Sequence, residues 1–125
     1  MSLDELKELV ARGESDRLEF KKSTHELKAG METLCGFLNG GGGRVLFGVT
    51  PAGKINGQDA TDPTLREIAE EIRRIEPPVA FDLGQIELEN GRAVLALTTS
   101  ASPMAPYVYK GRPYRRIAST TSLMP

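Results

Sequence analysis

The stretch NGGGGRVLFGV, Asn39 to Val49, decides the fold. Upstream of it Leu27, Met31, Leu34, Cys35 and Leu38 recur at i, i+4, i+7, i+8 and i+11, the spacing of one helix face. Downstream, Val45 to Val49 is a short apolar run closed by Thr50-Pro51, which predicts a central strand. The glycines between them are therefore expected to end a helix and turn the chain into a strand, with Asn39 and Gly40 the natural left-handed positions. A phosphate loop has the opposite order, strand then glycines then helix, so that the anion meets the positive end of the helix dipole. Neither G-x-x-x-x-G-K-S/T nor G-x-G-x-x-G can be written from these residues, so no phosphate loop supports ATP binding. The other reading of Gly40 to Gly43 is close approach of a ligand or a nucleic-acid backbone, which residues without a Cβ permit.

On the N-terminal side, Leu3, Leu6, Leu9 and Val10 predict a short amphipathic helix over Ser2 to Arg12, with Ser2 and Glu5 as a capping box and Gly13 as its stop. Arg17 to Lys21 then alternates. Leu18 and Phe20 point one way and Arg17, Glu19 and Lys21 the other, which predicts a half-buried strand with a charged outer face. Ser23 and Glu26 fit a second capping box. On the C-terminal side, Lys54 to Asn56 is expected as a short return strand. Asp62-Pro63 opens a helix whose buried face is Leu65, Ile68, Ala69, Ile72 and Ile75. Val79 to Leu88 and Arg92 to Thr98 read as strands joined through Asn90-Gly91, a strong hairpin signal. Tyr107 to Tyr109 and Tyr114 to Ile117 are expected to form a last pair around Lys110-Gly111, and Ser119 to Pro125 closes no obvious element. The sum is an α/β (α+β) fold: a mixed, largely antiparallel sheet with about three helices packed on it, in two layers.

With 125 residues the chain has the length of a single domain, 1–125, and its open end suggests the N-terminal part of a longer protein. One cysteine, Cys35, excludes an internal disulfide and a cysteine metal cluster. With no signal-type run and no stretch near the ~20 apolar residues of a membrane span, the expected location is the cytoplasm, away from membranes. The lone His25 has no second histidine for a zinc site, and no G-x-S-x-G marks a serine hydrolase.

A net charge of −1 by itself predicts no polyanion partner, but the charge is unevenly spread. From Ala101 onward stand Lys110, Arg112, Arg115 and Arg116, four of the sixteen basic residues, and none of the seventeen acids, which leaves −5 for the rest. Together with Lys21, Lys22 and Arg44 these are candidate phosphate contacts. Tyr107, Tyr109 and Tyr114 are interleaved with the tail cations and are placed to stack on unpaired bases. The alternative is a set of edge strands whose cations discourage edge-to-edge pairing and whose tyrosines cover the core.

ESDRLEFKKS, a helix, CGFLNGGGGRVLFGVTPAGKINGQD, IEPPV, GRAVLAL and SPMAPYVYKGRPYRRIASTT, in that order from about Glu14 to Thr121, resemble the Schlafen AlbA-type domain. The resemblance implies a mixed α/β fold, nucleic-acid binding to DNA or RNA, and frequent placement at the start of bacterial transcriptional regulators. In animal relatives it implies a metal-dependent endoribonuclease using two glutamates five residues apart and a later aspartate. Glu14 and Glu19 match the glutamate pair and would be both catalytic and metal-binding, holding Mg²⁺ or Mn²⁺; binding alone requires no cofactor. The aspartate does not match: Gly48-Val49-Thr50-Pro51-Ala52 stands where the family places it, and Asp59 follows some residues later. The bland alternative pairs Glu19 with Lys21 or a neighbouring strand's arginine, while Glu14 caps a turn. Three functions follow: a nucleic-acid-binding domain, most readily of DNA, in a transcriptional regulator; a metal-dependent ribonuclease; or a protein-interaction or homodimerisation module.

Overall fold

The structure, a computed structural model, describes residues 1–125. Helix α1 (Leu3–Ala11) starts on a complete capping box, the Ser2 hydroxyl accepting from the Glu5 amide and the Glu5 carboxylate from the Ser2 amide. Strand β1 (Leu18–Lys21) follows, then a 3-10 turn (Thr24–Glu26), helix α2 (Leu27–Leu38) and strand β2 (Gly42–Phe47). Helix α3 (Asp62–Ile72) leads to the two-residue strand β3 (Ile75–Glu76) and the hairpin of β4 (Asp82–Glu87) and β5 (Ala93–Ser100). The chain ends with β6 (Val108–Tyr109), β7 (Tyr114–Ile117) and β8 (Thr120–Leu123).

The main sheet has the order β1-β2-β5-β4. Strand β2 is central, parallel to β1 with Glu19 opposite Val45, and antiparallel to β5 with Val45 opposite Leu97. Apolar side chains alternate across β2 and β5 onto two faces. Val45, Phe47, Leu95 and Leu97 meet α2 and α3, whereas Leu46, Val94 and Ala96 meet Leu6 and Val10 of α1. Both faces of the sheet are thus covered, as a central strand apolar on both sides requires. The Asn90-Gly91 turn is as expected: Gly91 has φ +81° and the Asn90 side chain accepts from the Arg92 amide.

Five local expectations are corrected. Asn39 ends α2 with φ −85°, so it is not left-handed; the left-handed residue is Gly42, at +84°, already inside β2. A Cβ on Gly42 would stand 2.7 Å from the Thr99 carbonyl oxygen, and one on Gly43 2.6 Å from the Phe37 ring, so these glycines let β2 approach β5 and α2. Lys54 to Asn56 contributes only the single Val49–Ile55 bridge. Ile75 leaves the helix and joins β3, which pairs with Tyr109 of β6. The predicted pair of tail strands exists only as one Tyr109–Arg112 bridge around Lys110-Gly111. Instead β7 pairs with β8, Arg116 opposite Thr121, so the last residues do form an element.

Candidate nucleic-acid interface and carboxylate pair

The alternation of β1 sends Leu18 and Phe20 into the core beside α1 and turns Glu19 to the opposite face. That face is covered rather than outward: β7 lies against α2 there, and Glu19 is only 8% exposed. Close approach of β7 depends on Gly36 of α2, where a Cβ would meet the Arg115 carbonyl carbon at 3.0 Å. Asn39 fixes the same segment by three hydrogen bonds. Its side-chain amide donates to the carbonyls of Tyr107 and Tyr114, both at 2.9 Å, and its oxygen accepts from the Tyr107 amide at 2.6 Å.

Held in this way, β7 alternates in its turn, with Tyr114 and Arg116 facing inward and Arg115 and Ile117 exposed. The Arg116 side chain is 3% exposed. Its guanidinium donates to Glu19 Oε2 at 2.5 Å, to the Ser15 carbonyl at 2.9 Å, to the Leu18 carbonyl at 3.1 Å and to Thr121 Oγ1 at 3.0 Å. It also sits 5.4 Å from the centre of the Phe37 ring. Lys21 Nζ approaches the other Glu19 oxygen at 3.7 Å.

Glu14 and Glu19 are near enough to act on each other's carboxyl. Burial, and then the neighbouring Glu14 side chain, push the Glu19 carboxyl up to about 7 against the opposing pull of Arg116. For Glu14 burial acts upward too. It is outweighed by the Glu19 hydrogen bond, by the Phe20 amide donating to Glu14 Oε2 at 2.9 Å, and by Arg116 and Lys21, so its value is lowered.

These residues do not fit a divalent metal. Such ions require several oxygen ligands with net negative charge. Here Arg116 already takes the Glu19 carboxylate, two carbonyls and a hydroxyl, the oxygens that a cation would use. No third carboxylate completes a cluster, and Asp59 does not join the pair. In this structure Glu19 of the pair expected as metal ligands and catalytic acids is instead ion-paired with Arg116.

The tail aromatics are also placed differently from the expectation. Tyr109 is 1% exposed and its hydroxyl donates to Glu71, so its ring faces are core surface and not a platform for bases. Burial and the Glu71 carboxylate raise its phenol. Tyr107 is buried as well, and the half-buried Tyr114 donates to Glu32 at 3.0 Å. Arg116, enclosed by protein oxygens, is removed from the set of phosphate contacts. Lys22, Arg112 and Arg115 are exposed and form no ion pair. Lys110 is 41% exposed beside Glu71, and Lys21 is partly occupied by Glu19. Arg44 donates through Nε to Thr98 and keeps its remaining N–H groups for other partners. Sequence reasoning missed Arg17, whose guanidinium lies across Gly41.

The architecture defines a small α+β domain whose first sheet strand is locked to its C-terminal hairpin by a buried ion pair, with free cations outside that lock. The chain belongs to the Schlafen, AlbA_2 family, whose profile matches residues 14–125. Among solved structures, it is similar to the N-terminal domain of a protein from Nitrosomonas europaea described as related to the ATP-dependent DNA helicase RecG. The TM-score is 0.67 at 25% identity, covering 94% of this chain and 88% of that one. It also shares its fold with the DIP2311 protein of Corynebacterium diphtheriae, at TM-score 0.62 and 16% identity. That match covers 87% of this chain but only 22% of the longer protein. No curated protein sequence matches the chain. No helix is long and apolar enough to cross a membrane.

Proposed function

We propose that this domain binds nucleic acid through phosphate contacts, as an accessory module of a larger bacterial protein acting on DNA or its transcription. The observation that carries the reading is the separation of two kinds of cation. Arg116 is spent inside the fold, while Lys22, Arg112 and Arg115 stand exposed without acidic partners. Free guanidinium and ammonium groups gain from phosphate by releasing its counterions, a gain that needs no base contact. Family membership and the likeness to a domain of a RecG-related protein support the same class of ligand. The burial of Tyr107 and Tyr109 favours backbone contacts over base stacking, and so duplex over single strands.

Arg112→Glu with Arg115→Glu tests this reading. Both side chains are exposed, so the fold is expected to survive. The double reversal should abolish retardation of a labelled duplex at low salt, with thermal unfolding unchanged. Unaltered retardation by the folded variant would reject the tail as the contact surface.

A further inference from the structure

We infer that the glycine turn before β2 forms a phosphate-binding pocket with Arg17 and Arg44. A concavity of about 320 Å³ opens where β1 and β2 begin and β5 ends. It is lined by Arg17, Arg44, Gly41, Gly42, Thr98 and Ser100 among others, and no acid lines it. The pocket deepens the proposed function, since a nucleic-acid backbone is one source of the phosphate, but its chemistry stands without that reading.

Three features make it an anion site. First, two arginines line it and neither is ion-paired. Arg44 spends only its Nε, on Thr98 Oγ1 at 2.9 Å, leaving its terminal N–H groups. Glu5 and Glu8 share a neighbouring hollow with Arg44 without forming an ion pair.

Second, the main chain is shaped to admit it. The Arg17 guanidinium lies against Gly41, with Nη2 2.5 Å from where a Cβ on that residue would stand. The Gly41 amide makes no hydrogen bond to protein and Gly41 is exposed, so a main-chain donor is available at the rim. Guanidinium forks and free amides are the donors that match phosphate oxygens.

Third, the site is anchored on rigid elements. Arg44 pairs across the sheet with Leu18 and Thr98, and the Arg44 amide donates to the Arg17 carbonyl at 2.9 Å, fixing the two arginines relative to each other. The ligand class is a phosphoryl group carrying about one to two negative charges, either a backbone phosphodiester or a free phosphate compound.

The test uses ¹⁵N-labelled protein titrated with sodium phosphate and with adenosine diphosphate, against sodium chloride at equal ionic strength. Wild type and Arg17→Gln with Arg44→Gln are also compared for binding to a labelled duplex over a salt series. Saturable movement of the Gly41 and Gly42 amide signals by phosphate but not chloride, lost in the variant, is the expected result. For a backbone phosphate the variant also weakens duplex binding, and its salt slope falls by about 1 for each arginine removed. Should phosphate or the diphosphate bind while duplex affinity is the same in both proteins, the pocket stands and its ligand is a small phosphate compound. If the wild type binds no duplex at all, the proposed function fails, but the pocket is still judged by the titration. No response of Gly41 and Gly42 to any of the phosphate-bearing probes overturns the inference, whatever the duplex result.

Discussion

Arg116 Nη1 lies 2.5 Å from Glu19 Oε2 across 97 residues of sequence, joining the first sheet strand to the last hairpin. Both groups are nearly inaccessible, so each is the other's main compensation for lost solvation. The pair joins the strand that carries Glu19 to the hairpin that covers it.

Removing one partner should therefore be costly. Arg116→Met leaves Glu19 buried and opens three further acceptors, and a loss of about 3–5 kcal/mol is expected in urea unfolding, as for other broken buried pairs. Glu19→Gln keeps acceptors for Arg116 and should cost less. In a double-mutant cycle the combined variant should lose less than the sum of the two; strict additivity would deny the coupling.

The pair also sets a pH dependence. Burial and Glu14 raise the Glu19 carboxyl to about 7 against the pull of Arg116, above its ordinary value of 4.5, so the folded state binds more proton than the unfolded chain between these values. The pair with Arg116 becomes fully charged only as pH passes the raised value. Stability from this group is full below the ordinary value and falls as pH rises toward neutrality. Glu14 has the opposite sense: its contribution is present above the ordinary value and is lost as pH drops through its lowered one. The thermal midpoint of the wild type relative to Glu19→Gln should thus decline between about pH 5 and pH 7. A constant or rising difference would contradict the assignment.

Asn39 is the second lock. Asn39→Ala removes two donated bonds and one accepted bond at Tyr107 and Tyr114 and leaves those groups only partly accessible. With about 1 kcal/mol per hydrogen bond, a loss of roughly 2–4 kcal/mol is expected. Hydrogen exchange should quicken first at the Tyr107 amide, and unchanged exchange there would show that β7 is held by other means.

Gly36→Ala probes how the hairpin is seated. The added methyl meets backbone of Arg115 and Arg116 at 3.0–3.3 Å and can be relieved only by moving β7 from α2. A destabilisation of about 1–3 kcal/mol is expected, as for overpacking elsewhere. It should come with a changed Arg116 Nε–H resonance, and a silent resonance would place the strain elsewhere.

The sequence made most of the sheet legible because its signals are local. The apolar run after the glycines, the Asn90-Gly91 turn and the Ser2–Glu5 capping box each specify their element within a few residues. What covers the Glu19 face was not legible, since period-two alternation says which residues share a face and not what lies on it. The cover comes from a strand far along the chain, paired with the polar Thr120–Leu123 segment, which has no apolar pattern to announce it. Asn39 read as a helix stop because its role as a tether depends on Tyr107 and Tyr114 arriving from afar. The tail tyrosines looked like base platforms for the same reason: Glu71 and Glu32, which accept their hydroxyls, are distant in sequence.

The most direct measurement is duplex and structured-RNA binding by the wild-type domain, with Mn²⁺ or with EDTA, across a salt series and with the product lengths read on the same gel. Phosphate-directed binding predicts equal retardation in both, fading steeply as salt rises, and full-length nucleic acid throughout. Mn²⁺-dependent shortening of the RNA, abolished by Glu19→Gln, would contradict the account and return the carboxylate pair to catalysis.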